Sequence, residues 1–291
     1  MSIFLVDAFT NTPFAGNRAG VVLDQKHFTD ELKQKIAAEL NASETVFAVQ
    51  NETSTFDARY FTPTTEIDFC GHATIALFYT LAKENKVQFG SDGIELLVKT
   101  KAGDFPVRVR KVGDEILVSL RQTESHFAPV PFTVQDMARA LPLPLEAFDL
   151  SFPLGLAKTG NWHLMVGLKN RTYLDQIDYD TKALSDILNQ SKAVTAHVFC
   201  PGNEVNFHAR NFCPTIGIPE DPATGSAAGA FAAYLVHENL IPDGKHHISI
   251  VQGEKMGRES HISLEIEGYN RVLQQVEITG TAVTSFQLLQ P

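Results

Sequence analysis

Two stretches of this chain repeat one another, and the repeat limits the possible fold more than any other feature. Arg59-Tyr-Phe-Thr-Pro-Thr-Thr-Glu-Ile-Asp-Phe-Cys70 returns without a gap 151 residues later as Arg210-Asn-Phe-Cys-Pro-Thr-Ile-Gly-Ile-Pro-Glu-Asp221. Arg, Phe, Pro, Thr and Ile recur in register, and each copy runs into an apolar stretch. A supersecondary unit used twice predicts two lobes built on one plan. In this alignment Cys70 and Asp221 take equivalent places.

The stretches that follow, His72 to Ala82 (HATIALFYTLA) and Ser226 to Val236 (SAAGAFAAYLV), have almost no polar face. A helix that is apolar all round must be enclosed on every side. Ala227, Ala228, Gly229 and Ala230 would let neighbouring backbone approach closely. The expected fold class is α+β, with two pseudo-symmetric lobes, each a curled, mostly antiparallel sheet around a central buried helix. The first lobe is expected over residues 1–122 with the closing strand 278–291, and the second over 123–277.

Ile3–Phe9, Ala19–Leu23, Thr45–Val49 and Thr55–Phe61 read as strands, with a loop over Asn11–Asn17. Thr29–Leu40 reads as a helix capped by Thr29, with Leu32, Ile36 and Leu40 on its inner face. Asp136–Ala140 and Lys182–Leu188 are helical candidates, and the Pro-rich run Pro129–Pro153 reads as a linker.

Net charge is −10 and no Lys/Arg run interrupts it, so neither nucleic acid nor an anionic membrane is an expected partner. The longest apolar stretch, about Gly225 to Val236, is too short to span a bilayer. Met1–Asp7 has no basic segment and meets an acid early, unlike a secretory signal. Three cysteines without CxxC spacing do not suggest a disulfide framework. These features predict a cytoplasmic protein.

If the lobes face one another, two helix N-termini point into one cleft. Their N–H groups and dipoles would hold a small anion or a developing enolate without a metal. The chain also resembles the PhzF family of phenazine biosynthesis-like isomerases, within the diaminopimelate-epimerase fold. The matching stretches are VDAFTNTPFAGN (Val6–Asn17), SETVF (Ser43–Phe47), YFTPTTEIDFCGHAT (Tyr60–Thr74), EDPATGSA (Glu220–Ala227) and ITGTAV (Ile278–Val283).

The resemblance implies a homodimer that needs no cofactor and acts on a small acidic substrate. It implies Glu44 as the proton-shuttling acid/base, with His72 and Asp221 as its catalytic partners. Asn17, Gly71, Gly225 and Ser226 would bind substrate, and no residue would bind a metal. The related epimerases carry a cysteine at both lobe-equivalent positions, whereas this chain pairs Cys70 with Asp221. Arg18 stands where the family usually reads proline, and would alter substrate preference near Asn17.

Each residue also has a plainer reading. Glu44 lies between a helix and a strand, where carboxylates are commonly solvated; burial there would raise its pKa toward a useful range. Asp221-Pro222 looks like an N-cap followed by Pro at N1. The helix dipole would keep His72 neutral. Ser226 can be a first-turn polar residue and Cys70 a small buried hydrophobe. A zinc site from Cys70, His72, Cys200 and Cys213 lacks recognisable ligand spacing. His163, His208, His237, His246 and His247 read as surface or satisfied core residues. The expected function is a cofactor-independent isomerase that relocates a proton by general acid/base catalysis. Stereoinversion at an α-carbon and non-catalytic binding of small acids are the alternatives.

Overall fold

The computed structural model describes residues 2–23, 28–122 and 124–289, the last without its side chain; positions 1, 24–27, 123, 290 and 291 of the expected lobes lie outside it. The chain divides into two compact units, Met1–Arg121 with Thr279–Pro291, and Gln122–Ile278.

The first unit runs β1 (Ser2–Ala8), β2 (Asn17–Leu23), α1 (Asp30–Leu40), β3 (Glu44–Glu52), β4 (Thr55–Phe61), β5 (Glu66–Ile67), α2 (Gly71–Lys83), β6 (Ile94–Thr100), β7 (Gly103–Val112) and β8 (Glu115–Gln122). The second runs β9 (His126–Ala128), α3 (Val134–Ala140), β10 (Gly155–Lys158), β11 (Trp162–Gly167), α4 (Arg171–Gln176), α5 (Thr181–Ser191), β12 (Thr195–Pro201), β13 (Phe207–Cys213), β14 (Ile218–Asp221), α6 (Gly225–His237), β15 (Gly244–Gln252), β16 (Ser260–Tyr269) and β17 (Val272–Gly280). The closing β18 (Ala282–Leu289) pairs antiparallel with β1.

Strand for strand the units share a topology. β1 and β2 are antiparallel, as are β10 and β11. β2–β3 and β11–β12 are the parallel pairs that follow. β3–β4 and β12–β13 return antiparallel, and β4–β6 and β13–β15 are parallel again across the helical crossover. Each unit holds one apolar helix. From His72 to Ala82 every residue of α2 is buried, and from Ala227 to Val236 every residue of α6 is. α2 packs against β1, β2, β3, β7 and β18, and α6 against β10, β11 and β16. Side chains as enclosed as Ile75, Leu77 and Phe78 each contribute about 1.5–3 kcal/mol over exposure. The α+β expectation and its enclosed helices are what the chain forms. Among the described residues, no helix is long and apolar enough to cross a membrane.

The repeat has a physical basis that the alignment did not reveal. Arg59 grips Glu66 through Nε and Nη2, at 2.7 and 2.8 Å. Arg210 grips Glu220 in the same fork, at 3.0 and 2.7 Å. Each guanidinium also covers the ring two residues on, Phe61 at 5.3 Å and Phe212 at 4.8 Å. Planar, two-toothed carboxylate binding explains why both positions are arginine.

The same pairs correct the register. Phe61 faces Glu66, whereas Phe212 faces Glu220, so the second hairpin loop is three residues longer. Beyond the loop, equivalence shifts to an offset of 154 residues. Asp221 therefore matches Ile67, and the residue matching Cys70 is Thr224.

Other expectations are also corrected. The Pro-rich run is no linker: Met137, Leu141, Leu143, Ala147 and Phe148 are core residues of the second unit. Leu32 is exposed, whereas Ile36 does pack on the core, beside buried Ala37 and Lys33; Lys33 buries its stem while its ammonium reaches Asp30 at 3.7 Å. Around α6 it is side chains, not backbone, that come close. A Cβ on Gly229 would stand 2.5 Å from Gln122 Oε1 and 2.8 Å from Thr159 Oγ1.

Candidate functional site

Four of the expected site residues meet inside the first unit. Asn17 opens β2, Glu44 opens β3, and Gly71 and His72 begin α2 behind the N-cap residue Cys70. Parallel pairing sets Ala19 beside Glu44, which brings the starts of both strands level with the helix end. Asn17, Cys70 and His72 are buried.

His72 Nε2 lies 3.1 Å from Glu44 Oε2. Ser43, to which the sequence reading gave no role, joins the pair. Its hydroxyl donates to the Arg18 carbonyl at 2.8 Å and lies 3.1 Å from His72 Nε2 and 3.2 Å from Asn17 Oδ1. The Asn17 amide nitrogen lies 3.2 Å from His72 Nδ1. Ser43 and Asn17 thus hold both edges of the ring beside the Glu44 carboxylate.

Electrostatics set the charge of the pair. Burial opposes charge on both groups. At Glu44 it is outweighed by the charge and hydrogen bond of His72, with Ser43 and Cys70 assisting, and the carboxyl lies below its ordinary value. At His72 burial is outweighed by Cys70 and Glu44, and the ring lies well above its ordinary value. Burial also raises the Cys70 thiol, so Glu44 is the anion of the cluster. Two expectations are thereby reversed: Glu44 is not pushed upward, and His72 is not neutral, because a carboxylate at contact distance outweighs a helix dipole.

Donor atoms of Glu44, Cys70 and His72 lie within 4.8 Å of one another, close enough in principle to hold a metal ion. A metal ion there would have to displace the proton that these surroundings favour on His72. Cys200 and Cys213 are buried core residues of the second unit, on β12 and β13. Cys70 does more than fill space, since its sulfur lies 3.3 Å from His72 Nδ1.

Arg18 is committed to the fold. Its guanidinium binds buried Asp7 at 3.0 and 3.3 Å, and Asp7 also takes the Phe14 N–H at 2.8 Å and the Ser285 hydroxyl. This cluster ties the loop before Asn17 to β18, so the residue that departs from the family pattern supports the site rather than facing a ligand.

The remaining expected residues lie in the second unit. Asp221 ends β14 and is not an N-cap; that position belongs to Thr224, whose side chain makes no capping bond. Its hydroxyl donates to Asp221 instead. Gly225 and Ser226 begin α6, in the places that Gly71 and His72 hold in α2. Of the other histidines, His208 pairs with Glu254 at 2.8 Å and His237 stacks on Phe127. His163 is buried against Thr195 at 2.8 Å.

Comparison with known proteins agrees. The chain matches the sequence pattern of the phenazine biosynthesis-like proteins (PhzC-PhzF) over residues 6–287. A Deinococcus radiodurans protein named an uncharacterized isomerase is 35% identical, over 98% of this chain and 93% of its own. The trans-2,3-dihydro-3-hydroxyanthranilate isomerase of Pseudomonas aeruginosa is 31% identical, over 95% and 94%. The crystal structure of a Bacillus anthracis phenazine biosynthesis protein of the PhzF family superposes with a TM-score of 0.90 at 29% identity, covering 99% of this chain and 98% of that one. With its two like-built units and a charged pair at the end of a buried helix, this chain belongs to the phenazine biosynthesis-like (PhzF) family and is an isomerase.

Proposed function

We propose that the protein relocates a proton on a small, carboxylate-bearing substrate by general acid/base catalysis, without a metal or organic cofactor. One observation carries this: the Glu44 carboxylate lies 3.1 Å from the His72 ring, in surroundings that favour charge on both. As the anion, Glu44 takes a proton from a substrate carbon and becomes a neutral acid. Negative charge then spreads over the substrate's conjugated system, where the His72 cation and the first N–H groups of α2 favour it. The neutral Glu44 returns the same proton to a different carbon, the double bond shifts, and the enzyme is restored. Asn17 and Ser43 hold the ring that supplies the charge, and Gly71 offers its backbone at the helix start.

Asp221, Gly225 and Ser226 are proposed to bind and orient substrate, Asp221 as a catalytic partner. Stereoinversion by two opposed thiols is disfavoured, because the place equivalent to Cys70 holds Thr224. We also propose a cytoplasmic homodimer, a point for light scattering of the purified chain.

The test is deuterium incorporation from heavy water into trans-2,3-dihydro-3-hydroxyanthranilate and a panel of unsaturated and α-amino carboxylates. A shifted double bond with deuterium at the new position supports the reading. Exchange at one carbon with loss of configuration, or no exchange across the panel, would sink it.

A further inference from the structure

From the second unit we infer that Thr224, Asn211, Thr195 and His163 form a one-directional hydrogen-bond chain that positions the Asp221 carboxylate. This rests on the reading of Asp221 given above and extends it to four residues that the sequence did not single out.

The direction follows from what each group can do. An ionised Asp221 only accepts, so the Thr224 hydroxyl must donate to it. That hydroxyl is then an acceptor for everything else near it: Asn211 Nδ2 at 2.9 Å and Gln252 Nε2 at 3.2 Å. With its NH2 end spent on Thr224, Asn211 presents its carbonyl to Thr195, whose hydroxyl donates at 2.9 Å. Thr195 must therefore accept from His163 Nδ1, 2.8 Å away. The ring is a neutral Nδ1–H tautomer, and its other nitrogen, buried, finds no partner among the described residues. No link can be reversed without setting two donors or two acceptors face to face.

The chain's residues are placed for this role. His163, Thr195, Asn211 and Gln252 are buried. Gln252 braces the far side by donating to the Asp221 carbonyl at 2.7 Å. Thr224 stands at a helix N-cap yet its side chain caps nothing, so its hydroxyl is spent on Asp221. Successive bonds of one polarity reinforce one another. The outcome is a carboxylate with a fixed donor on one oxygen and one orientation. These four act through Asp221 and are positioning residues, not catalytic ones.

Two readouts test the chain, and the first needs no substrate. Nitrogen-15 NMR should show His163 neutral, with hydrogen on Nδ1, from pH 5 to 8. Thr224→Val should break the chain, so that the His163 Nδ1 hydrogen loses its protection from solvent exchange; Thr224→Ser should keep it. An Nδ1 without hydrogen, or equal protection in Thr224→Val, overturns the inference. In the second readout, on whichever panel compound exchanges, Thr224→Val should lower kcat/KM about tenfold or more, as for one hydrogen bond to a charged group. Thr224→Ser should restore it, and melting temperatures should stay within a few degrees. Wild-type kcat/KM in Thr224→Val also overturns the inference. Failure of the functional reading looks different: no panel compound exchanges, or Glu44→Gln stays active, and the NMR result still decides the chain.

Discussion

Glu44 and His72 stand 3.1 Å apart, close enough for each to stabilise charge on the other. A carboxylate that only has to accept a proton, beside a cation that does not have to move, is suited to handing that proton back. Replacing Glu44 by Gln keeps the shape and removes the carrier. Turnover should fall by at least about a hundredfold, the usual scale of a general base, with an unchanged far-UV spectrum. Activity within tenfold of wild type would remove Glu44 from the mechanism.

The same pair sets the pH profile. The Glu44 carboxyl lies below its ordinary 4.5 and the His72 ring well above its ordinary 6.5. kcat/KM should therefore rise with pH on an acid limb below 4.5, hold a plateau through neutrality, and fall on an alkaline limb above 6.5. Stability follows the same signs. The Glu44 contribution is present above its unfolded value and lost as pH falls through the lower folded one. The His72 contribution is full below its unfolded value and lost as pH rises through the higher folded one. A bell centred near pH 5.5, with both limbs at the ordinary 4.5 and 6.5, would contradict the ion pair.

Acid sensitivity should arise elsewhere, at two buried histidines. Burial, with His197 close by, holds His163 at about 3, and burial holds His197 at about 4. Both lie below the ordinary 6.5, so the unfolded chain takes up protons first as pH falls. Each ring should cost up to about 1.4 kcal/mol of stability per pH unit between pH 6.5 and its folded value. His197, packed against Phe231 at 5.5 Å, offers the cleaner variant. Urea unfolding of His197→Phe at pH 7 and pH 5 should show a shallower pH slope than wild type; an equal slope would refute the assignment.

Arg18 separates support from specificity. Arg18→Met takes the guanidinium away from buried Asp7, and should cost about 1–3 kcal/mol in chemical denaturation. KM should change less than about threefold. A large shift in substrate preference at unchanged stability would return Arg18 to the binding site.

Much of this was legible beforehand, because apolar patterning and the arginine–aromatic repeat are local signals. The enclosed helices follow from His72–Ala82 and Ser226–Val236 having no polar face. What failed was what depends on distant partners. Pro63-Thr64 and Pro214-Thr215 align by composition, hiding a loop-length change that only the Arg59–Glu66 and Arg210–Glu220 pairs reveal. Had the glutamates been aligned instead, Thr224 would have been matched to Cys70 from the start. The charge of His72 was out of reach as well, because it depends on Cys70 and on Glu44, the latter remote in sequence. Ser43 itself could have been suspected from its place beside Glu44 in the SETVF stretch.

The longer second hairpin has a consequence for how such a chain diversifies. Four residues separate Phe61 from Glu66 and seven separate Phe212 from Glu220. Less than a doubling of a surface loop costs under about 0.6 kcal/mol of closure entropy. A framework used twice does not oblige both copies to carry the same loop. In this chain the longer hairpin holds Asp221 where the shorter holds Ile67. One copy can thus present a charge where the other presents an apolar side chain, while each buried helix behind them still starts on glycine.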